Sequence, residues 1–326
     1  MDPTTVPRRE SRNDVSVVIP VFNGEASLAE LVSRIGGAIA PMGLEHEVIL
    51  VNDGSGDRSW EVIEGLAREN LRVRGLNLMR NYGQHNALLC GIRSARYPLT
   101  LTLDDDLQNP PEEMHRLFEA LVPGVDVVYG SPAKERHTLW RALASSLTKA
   151  VLQGSMGVQT ARNVSAFRLF RTRLRDSFAD YRGSFVSIDV LLTWGSTRFS
   201  SIPVEHSPRK YGASNYTLRK LLFHAMNMVT GFSTLPLEAA SMIGFAFTIF
   251  GVFVLAYVLV RFLVGGGSVP GFPFLASIIS IFSGVQLFAL GIIGEYLARM
   301  HFRMMDKPSY AVRGGTGAEA DGTADA

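Results

Sequence analysis

Short β-branched runs and amphipathic stretches alternate over the first 130 residues of this chain. Residues 15–22, "VSVVIPVF", read as a buried strand, and Leu28, Leu31, Val32 and Ile35 then recur at helical spacing. Ser27 and Glu30 stand three apart at the head of that helix, in capping-box spacing. "HEVILV" (46–51) is a second strand, with Asp57 placed to cap the helix after it. "RVRGLNL" (72–78) is a third, followed by a helix near 84–96. "LTLTL" (99–103) is a fourth; Asn109 then sits at an N-cap, Pro110 at the first helical position, and Met114, Leu117, Phe118 and Leu121 on one face. "DVVYG" (126–130) is a fifth. This alternation predicts an α/β domain with a mostly parallel sheet. Ligands of such sheets bind beyond the carboxyl ends of the strands. The polar groups found there are Asn23-Gly24-Glu25, "NDGSGD" (52–57), Arg80-Asn81 and Asp104-Asp105-Asp106.

The pattern changes near the end. Residues 242–260 and 272–294 contain no charge, and each exceeds the ~18 apolar residues of a membrane-helix candidate. "RFLVGGGSVPG" between them has room only for a turn. Arg219 and Lys220 precede the pair, and Arg299, Arg303 and Lys307 follow it, so the positive-inside rule puts both ends in the cytoplasm. A two-helix transmembrane hairpin is expected, at about 239–264 and 272–297. Residues 139–154 and 217–237 have the look of amphipathic helices lying in the headgroup plane. The first 13 residues and the Gly-rich tail from about 314 read as disordered, with 301–326 a cytoplasmic tail.

Composition narrows the class. Of 326 residues 47% are hydrophobic, and the mean hydropathy of +0.14 is explained by the two apolar runs. A net charge of only +2 argues against a dedicated nucleic-acid binder. The single cysteine, Cys90, excludes an internal disulfide and any Cys-rich zinc site. No apolar signal-peptide core precedes the first strand, so the bulk of the chain is expected to stay cytoplasmic.

The acidic triplet carries the chemistry. Adjacent carboxylates need a counter-charge, and four acidic or polar strand ends on one rim make an anionic, metal-ready cleft. In an extended segment alternate side chains share a side, which would pair Asp104 with Asp106 and turn Asp105 away. A dinucleotide site is disfavoured: Ser59 replaces the third glycine after Gly54-Ser55-Gly56, and Asp53 would repel a pyrophosphate.

Taken together, "VSVVIPVFNGE", "VNDGSGD", "LDDDLQNPPE", "SAFRLF" (165–170), "SIPVEHSPRKYGASNYTLRKL" (201–221) and "GEYLARM" (294–300) resemble the inverting glycosyltransferases of family 2. They are most similar to the polyprenyl-phosphate branch, which includes dolichyl-phosphate mannose synthases and bacterial undecaprenyl-phosphate sugar transferases. The resemblance covers roughly 14–313. It implies a GT-A catalytic domain over 14–216 and transfer of a sugar from a nucleotide diphosphate to a polyprenyl phosphate. It further implies Mg²⁺ or Mn²⁺, a bilayer partner, and a multi-pass place in the inner membrane with the catalytic domain cytoplasmic; a homo-oligomer stays open. In family terms Asp104 and Asp106 match the DxD motif, with Gln108 at the same parity as a third metal neighbour. Asp53 and Glu25 match nucleoside-holding positions, Pro20 and Val21 form one wall, and Arg80 lies toward the donor phosphates. Asp189 matches the usual place of a catalytic base. Because a phosphate monoester has its second pKa near ~6, such an acceptor needs little help from a base. Arg168 reads as a second acidic-cleft partner or, equally, as a core-edge salt bridge, and His85 as a satisfied polar residue. Arg209, Gly212 and Ser214 match an R-x-x-G-x-S-K acceptor motif, but Asn215 stands at its lysine, leaving Lys210 or Arg136 to complete the phosphate site. Two alternatives stand beside this. A direct polysaccharide or glycolipid synthase would bring more spans and a Q-x-x-R-W motif. A non-catalytic membrane scaffold would have lost its metal-site acids.

Overall fold

The computed structural model describes residues 13–132, 163–183, 186–207, 235–265, 271–305 and 307–317. They fall into a sheet unit, to which 307–317 belong, and a helical unit.

In the sheet unit β1 (Val15–Val21) lies between β4 (Leu99–Thr102) and β2 (His46–Asn52), and β2 is followed by β3 (Val73–Leu78). These four strands are mutually parallel. Side chains along β1 and β2 alternate between two cores. Val15, Val17, Ile19, Val48 and Leu50 enter one, and Val18, Ile49 and Val51 the other. A strand buried on both faces shows as a continuous apolar run, which is why these were legible. Helices α1 (Leu28–Ile39), α2 (Ser59–Glu69) and α4 (Met114–Ala120) contribute to the first core, and α3 (Gln84–Arg93) and α5 (Ile188–Gly195) to the second. Cys90 is buried in the second core, and desolvation pushes its thiol up to about 12, far from a nucleophile's range.

The sheet is more mixed than the sequence suggests. β6 (Arg168–Arg171) inserts antiparallel between β4 and β5 (Val127–Pro132), β7 (Phe199–Val204) adds parallel to β5, and β8 (Val312–Thr316) pairs antiparallel with β3. The described strands give one sheet in the order β7-β5-β6-β4-β1-β2-β3-β8. The reading of 301–326 as a tail, disordered from about 314, is corrected here: Gly314, Gly315 and Thr316 are strand residues. Pairing to β3 supplies order that a Gly-rich sequence cannot supply by itself.

Helix starts differ in detail. Ser27 Oγ donates to the Gly24 carbonyl instead of capping α1. Asp57 lies one residue before the Arg58 cap, and accepts from Ser59 N–H and Oγ–H. A 3₁₀ turn, Pro111–Glu113, leads into α4, moving the cap from Asn109 to Pro110.

In the helical unit α6 (Leu235–Gly265) and α7 (Phe272–Met304) pack together, with Phe247 and Phe282 edge to face at 5.6 Å. Residues 235–237, expected at the end of an interfacial helix, begin α6 instead. Among the described residues one stretch, Pro236–Arg261, is long and apolar enough to cross a membrane. The 139–154 segment and residues 217–234 lie outside the described residues.

Candidate active site

The cleft arises where β4 stops. Thr102 is its last residue paired with β1, opposite Val18, while β1 runs on to Val21. Val18 and Pro20 share the β4-facing edge of β1. The Val18 carbonyl still accepts Leu103 N–H at 3.4 Å, and Pro20 has no N–H to leave unpaired. Next on that edge is Phe22, whose N–H donates to Asp105 Oδ2 at 3.3 Å. A side-chain carboxylate thus stands where a neighbouring strand would have been. A Cβ on Gly24 would lie 2.5 Å from the same oxygen, so glycine is required for Asp105 to reach it.

Pro20, Val21, Phe22, Asp53, Gln84, Asp104, Asp105 and Asp106 line the resulting cleft. The alternate-side expectation for the triplet is corrected: all three aspartates face it. The strand has ended, and Asp105 and Asp106 sit in a turn, where two-residue alternation does not operate. Asp104 Oδ1 accepts from Gln84 Nε2 at 2.6 Å, and Asp106 Oδ1 from Gln108 N–H at 3.1 Å. Leu107 between them holds φ of 60° with its side chain buried. Among the described residues no Lys or Arg lines the cleft. Among the described residues no cage of three or more His, Cys, Asp or Glu side chains is formed.

Asp53 is 3% exposed and braces the loop after β3. Its two oxygens accept Tyr82 N–H at 2.7 Å and Gly83 N–H at 2.8 Å. Burial raises its pKa, and the two N–H donors oppose that rise. Gly54 (φ 66°) brings its own loop onto that one: a Cβ there would lie 2.5 Å from Asn81 N. Gly54→Ala is therefore expected to cost about 2 kcal/mol, read as a lower denaturant midpoint at unchanged slope.

Glu25 does not line the cleft. The loops after β1 and β2 are laced together: Glu25 Oε2 accepts Arg58 N–H, Asn23 N–H donates to Ser55 Oγ, and Gly56 N–H to Asn23 Oδ1. Gly24 N–H donates to Ser59 Oγ and Glu25 N–H to Asp57. The two motifs that looked like cleft chemistry are, in large part, this joint. Arg80 is exposed, with its guanidinium 4.5 Å over the Tyr82 ring, outside the cleft lining. Gln108 is also outside the lining, and its carbonyl accepts Ser207 N–H at 2.8 Å.

Asp189 sits in the first turn of α5, 9% exposed. It pairs with Arg168 and accepts from Tyr129 Oη at 3.0 Å. Arg168, 1% exposed, also donates to Thr102 Oγ1 at 2.9 Å, so the pair is fastened to the last residue of β4. Desolvation, and then the Asp189 charge, hold the Tyr129 hydroxyl well above its ordinary pKa. His85 Nδ1 accepts Ile188 N–H at 3.4 Å. Arg136, Arg209, Lys210, Gly212, Ser214 and Asn215 lie outside the described residues.

Sequence reasoning missed Phe22, Gln84 and Asp105 as lining residues. Phe22 and Gln84 follow strand ends, but Gln84 stands six residues past Leu78, beyond where that rule was applied.

The family model of glycosyl transferase family 2 matches residues 16–180, the segment carrying all the described residues that line the cleft. The chain belongs to glycosyl transferase family 2. Its α/β fold is GT-A-like, and it is a glycosyltransferase. A relative from Pseudomonas aeruginosa, undecaprenyl-phosphate 4-deoxy-4-formamido-L-arabinose transferase, is 37% identical over 91% of this chain and 89% of its own. The Edwardsiella ictaluri protein of the same name is 36% identical over 92% and 93%. Among solved structures, glucosyl-3-phosphoglycerate synthase from Mycobacterium tuberculosis, with Mn²⁺ and UDP, has a TM-score of 0.49 at 20% identity. That match covers 67% of this chain and 78% of the other, and a likeness so distant has no weight for the site.

Proposed function

We propose that this family 2 transferase moves a sugar, with inversion, from a nucleotide diphosphate to a polyprenyl phosphate at the cytoplasmic membrane face. What carries the reading is the span of the similarity. At 91% of the chain it takes in the apolar helices as well as the cleft, and the relatives concerned are named for an undecaprenyl-phosphate acceptor. An acceptor that is apolar for most of its length suits a protein whose Phe245 and Phe253 lie largely exposed on a helix able to cross a bilayer. The 272–294 run in α7 would form the second crossing of the hairpin.

The reaction joins two anions. A phosphate oxygen of the acceptor bonds to the anomeric carbon from the face opposite the donor diphosphate, and the bond from that carbon to the diphosphate breaks. The products are the lipid-linked sugar and the nucleoside diphosphate. Four carboxylates, with no cationic side chain beside them among the described lining residues, fit a divalent cation: one or two of them would hold it, and diphosphate oxygens would fill other positions. Asp106 and Asp104 are the assigned holders, with Gln84 orienting Asp104 and Gln108 N–H orienting Asp106. When bound, Mg²⁺ or Mn²⁺ neutralises the charge that develops on the leaving diphosphate. Pro20, Val21 and Phe22 would wall the nucleoside, with Arg80 and Glu25 near its rim. Arg209, Lys210, Ser214 and Arg136 are the residues assigned to the acceptor phosphate. Asp189, paired with Arg168, would position the end of β4 rather than remove a proton.

The test incubates the purified chain with undecaprenyl phosphate, Mg²⁺ or Mn²⁺, and a panel of UDP- and GDP-sugars. Lipid-linked sugar is expected with at least one donor, ceasing in EDTA and returning when the metal is restored. No product with any donor, or a rate untouched by EDTA, sinks the reading.

A further inference from the structure

β8 is an odd strand. It reads Val-Arg-Gly-Gly-Thr, and glycine loses more backbone freedom on ordering than any other residue. Its pairing with β3 (Leu76↔Gly315, Asn77↔Gly314, Leu78↔Val312) is therefore held by what flanks it. Ser309 is buried and donates to the Gly183 carbonyl at 2.8 Å. Tyr310 packs on the second core, with the Arg93 guanidinium 5.7 Å from its ring centre. That guanidinium also donates to the Ala179 and Tyr181 carbonyls, at 2.7 Å each. Gly75 in β3 leaves the room Thr316 occupies: a Cβ there would lie 2.7 Å from Thr316 Cγ2.

The decisive contacts fall on Met79, the first residue beyond β3. Its N–H donates to the Ala311 carbonyl at 2.9 Å, and its carbonyl accepts from Arg313 Nη2 at 3.1 Å. Both backbone groups of Met79 are thus held by the C-terminal segment. Five residues later the same loop reaches Gln84, which holds Asp104, having passed Tyr82 and Gly83, which hold Asp53. We propose that residues 309–316 are a positioning strap for the nucleotide cleft: by fixing Met79 they fix the 79–84 loop, and through it Asp53 and Asp104. Arg313 acts through Met79 and touches neither substrate nor metal in this scheme. The inference rests on the cleft being a nucleotide site, as proposed above.

Arg313→Ala in the full-length chain removes one charge-assisted bond and leaves the strand in place. Backbone amides of 79–84 are expected to exchange about tenfold faster, with those of β1 and β2 unchanged. Affinity for UDP or GDP with Mg²⁺, measured by calorimetry, is expected to fall about three- to tenfold, while kcat at saturating donor stays within about twofold. Arg313→Lys should recover part of the loss. A chain lacking 309–326 should show the same pattern more strongly, reversed by adding a peptide of residues 307–317. Unchanged exchange at 79–84 in Arg313→Ala overturns the strap, and so does faster exchange at full nucleotide affinity. A truncated chain that the peptide does not restore counts against it as well. Failure of the unaltered chain to transfer sugar overturns the proposed function alone, because the exchange measurement needs no turnover.

Discussion

Replacing Asp106 with Asn is expected to lower kcat by about 10²–10³-fold, the scale of losing a group that stabilises transition-state charge. The substitution keeps the size of the side chain and an oxygen for Gln108 N–H, so the fold should hold. What disappears is the carboxylate charge proposed to hold the cation that neutralises the departing diphosphate. Asp105→Asn is the matched control. Asp105 lines the same cleft, but its Oδ2 is engaged by Phe22 N–H, and asparagine retains an oxygen able to accept that bond. A loss of less than about tenfold, seen mainly in donor KM, is expected there. Steady-state kinetics with varied donor, on protein whose unfolding midpoint is unchanged, checks both. Asp106→Asn within tenfold of the unaltered enzyme would remove that residue from the metal-holding role.

Asp189→Ala is expected to destabilise the sheet unit by about 3–5 kcal/mol, because it strands the Arg168 guanidinium, 1% exposed, without its partner. The Tyr129 hydroxyl loses its acceptor in the same step. Asp189→Asn keeps hydrogen-bonding atoms but not the charge, and should fall between the two. Replacing both partners at once, Arg168→Met with Asp189→Leu, should return much of the stability, since no buried charge is left alone. Denaturant unfolding of the four proteins measures this directly. A different result would reassign the residue: full stability in Asp189→Ala with kcat lowered more than a hundredfold would mark Asp189 as the catalytic base its family position suggests.

Much of this could be read from the chain because the signals were local. The central strands are buried on both faces, so "VSVVIPVF" and "HEVILV" are apolar throughout, and β1 to β5 fall within one or two residues of their expected bounds. The resemblance to family 2 rests on ordered motifs of six to about twenty residues each. Strands β6 and β8 were not legible in this way. Arg168–Arg171 carries a charge at both ends, and Val312–Thr316 is part glycine; each is a strand only because a distant partner offers an unpaired edge.

The site divides along the same line. Sequence alone placed the acidic triplet at a strand end on the rim of a cleft and led to the expectation of a cation beside it. That β4 ends four residues short of Phe22's level on β1, so that Asp105 fills the gap, depends on how two strands pair. Likewise, Glu25, Asn23, Ser55 and Asp57 are complementary donors and acceptors that become a joint only when two loops some thirty residues apart are brought side by side. Residue type states what a side chain can bond. Only the tertiary structure decides which of its bonds are already made within the protein, and so which groups are left to face a ligand.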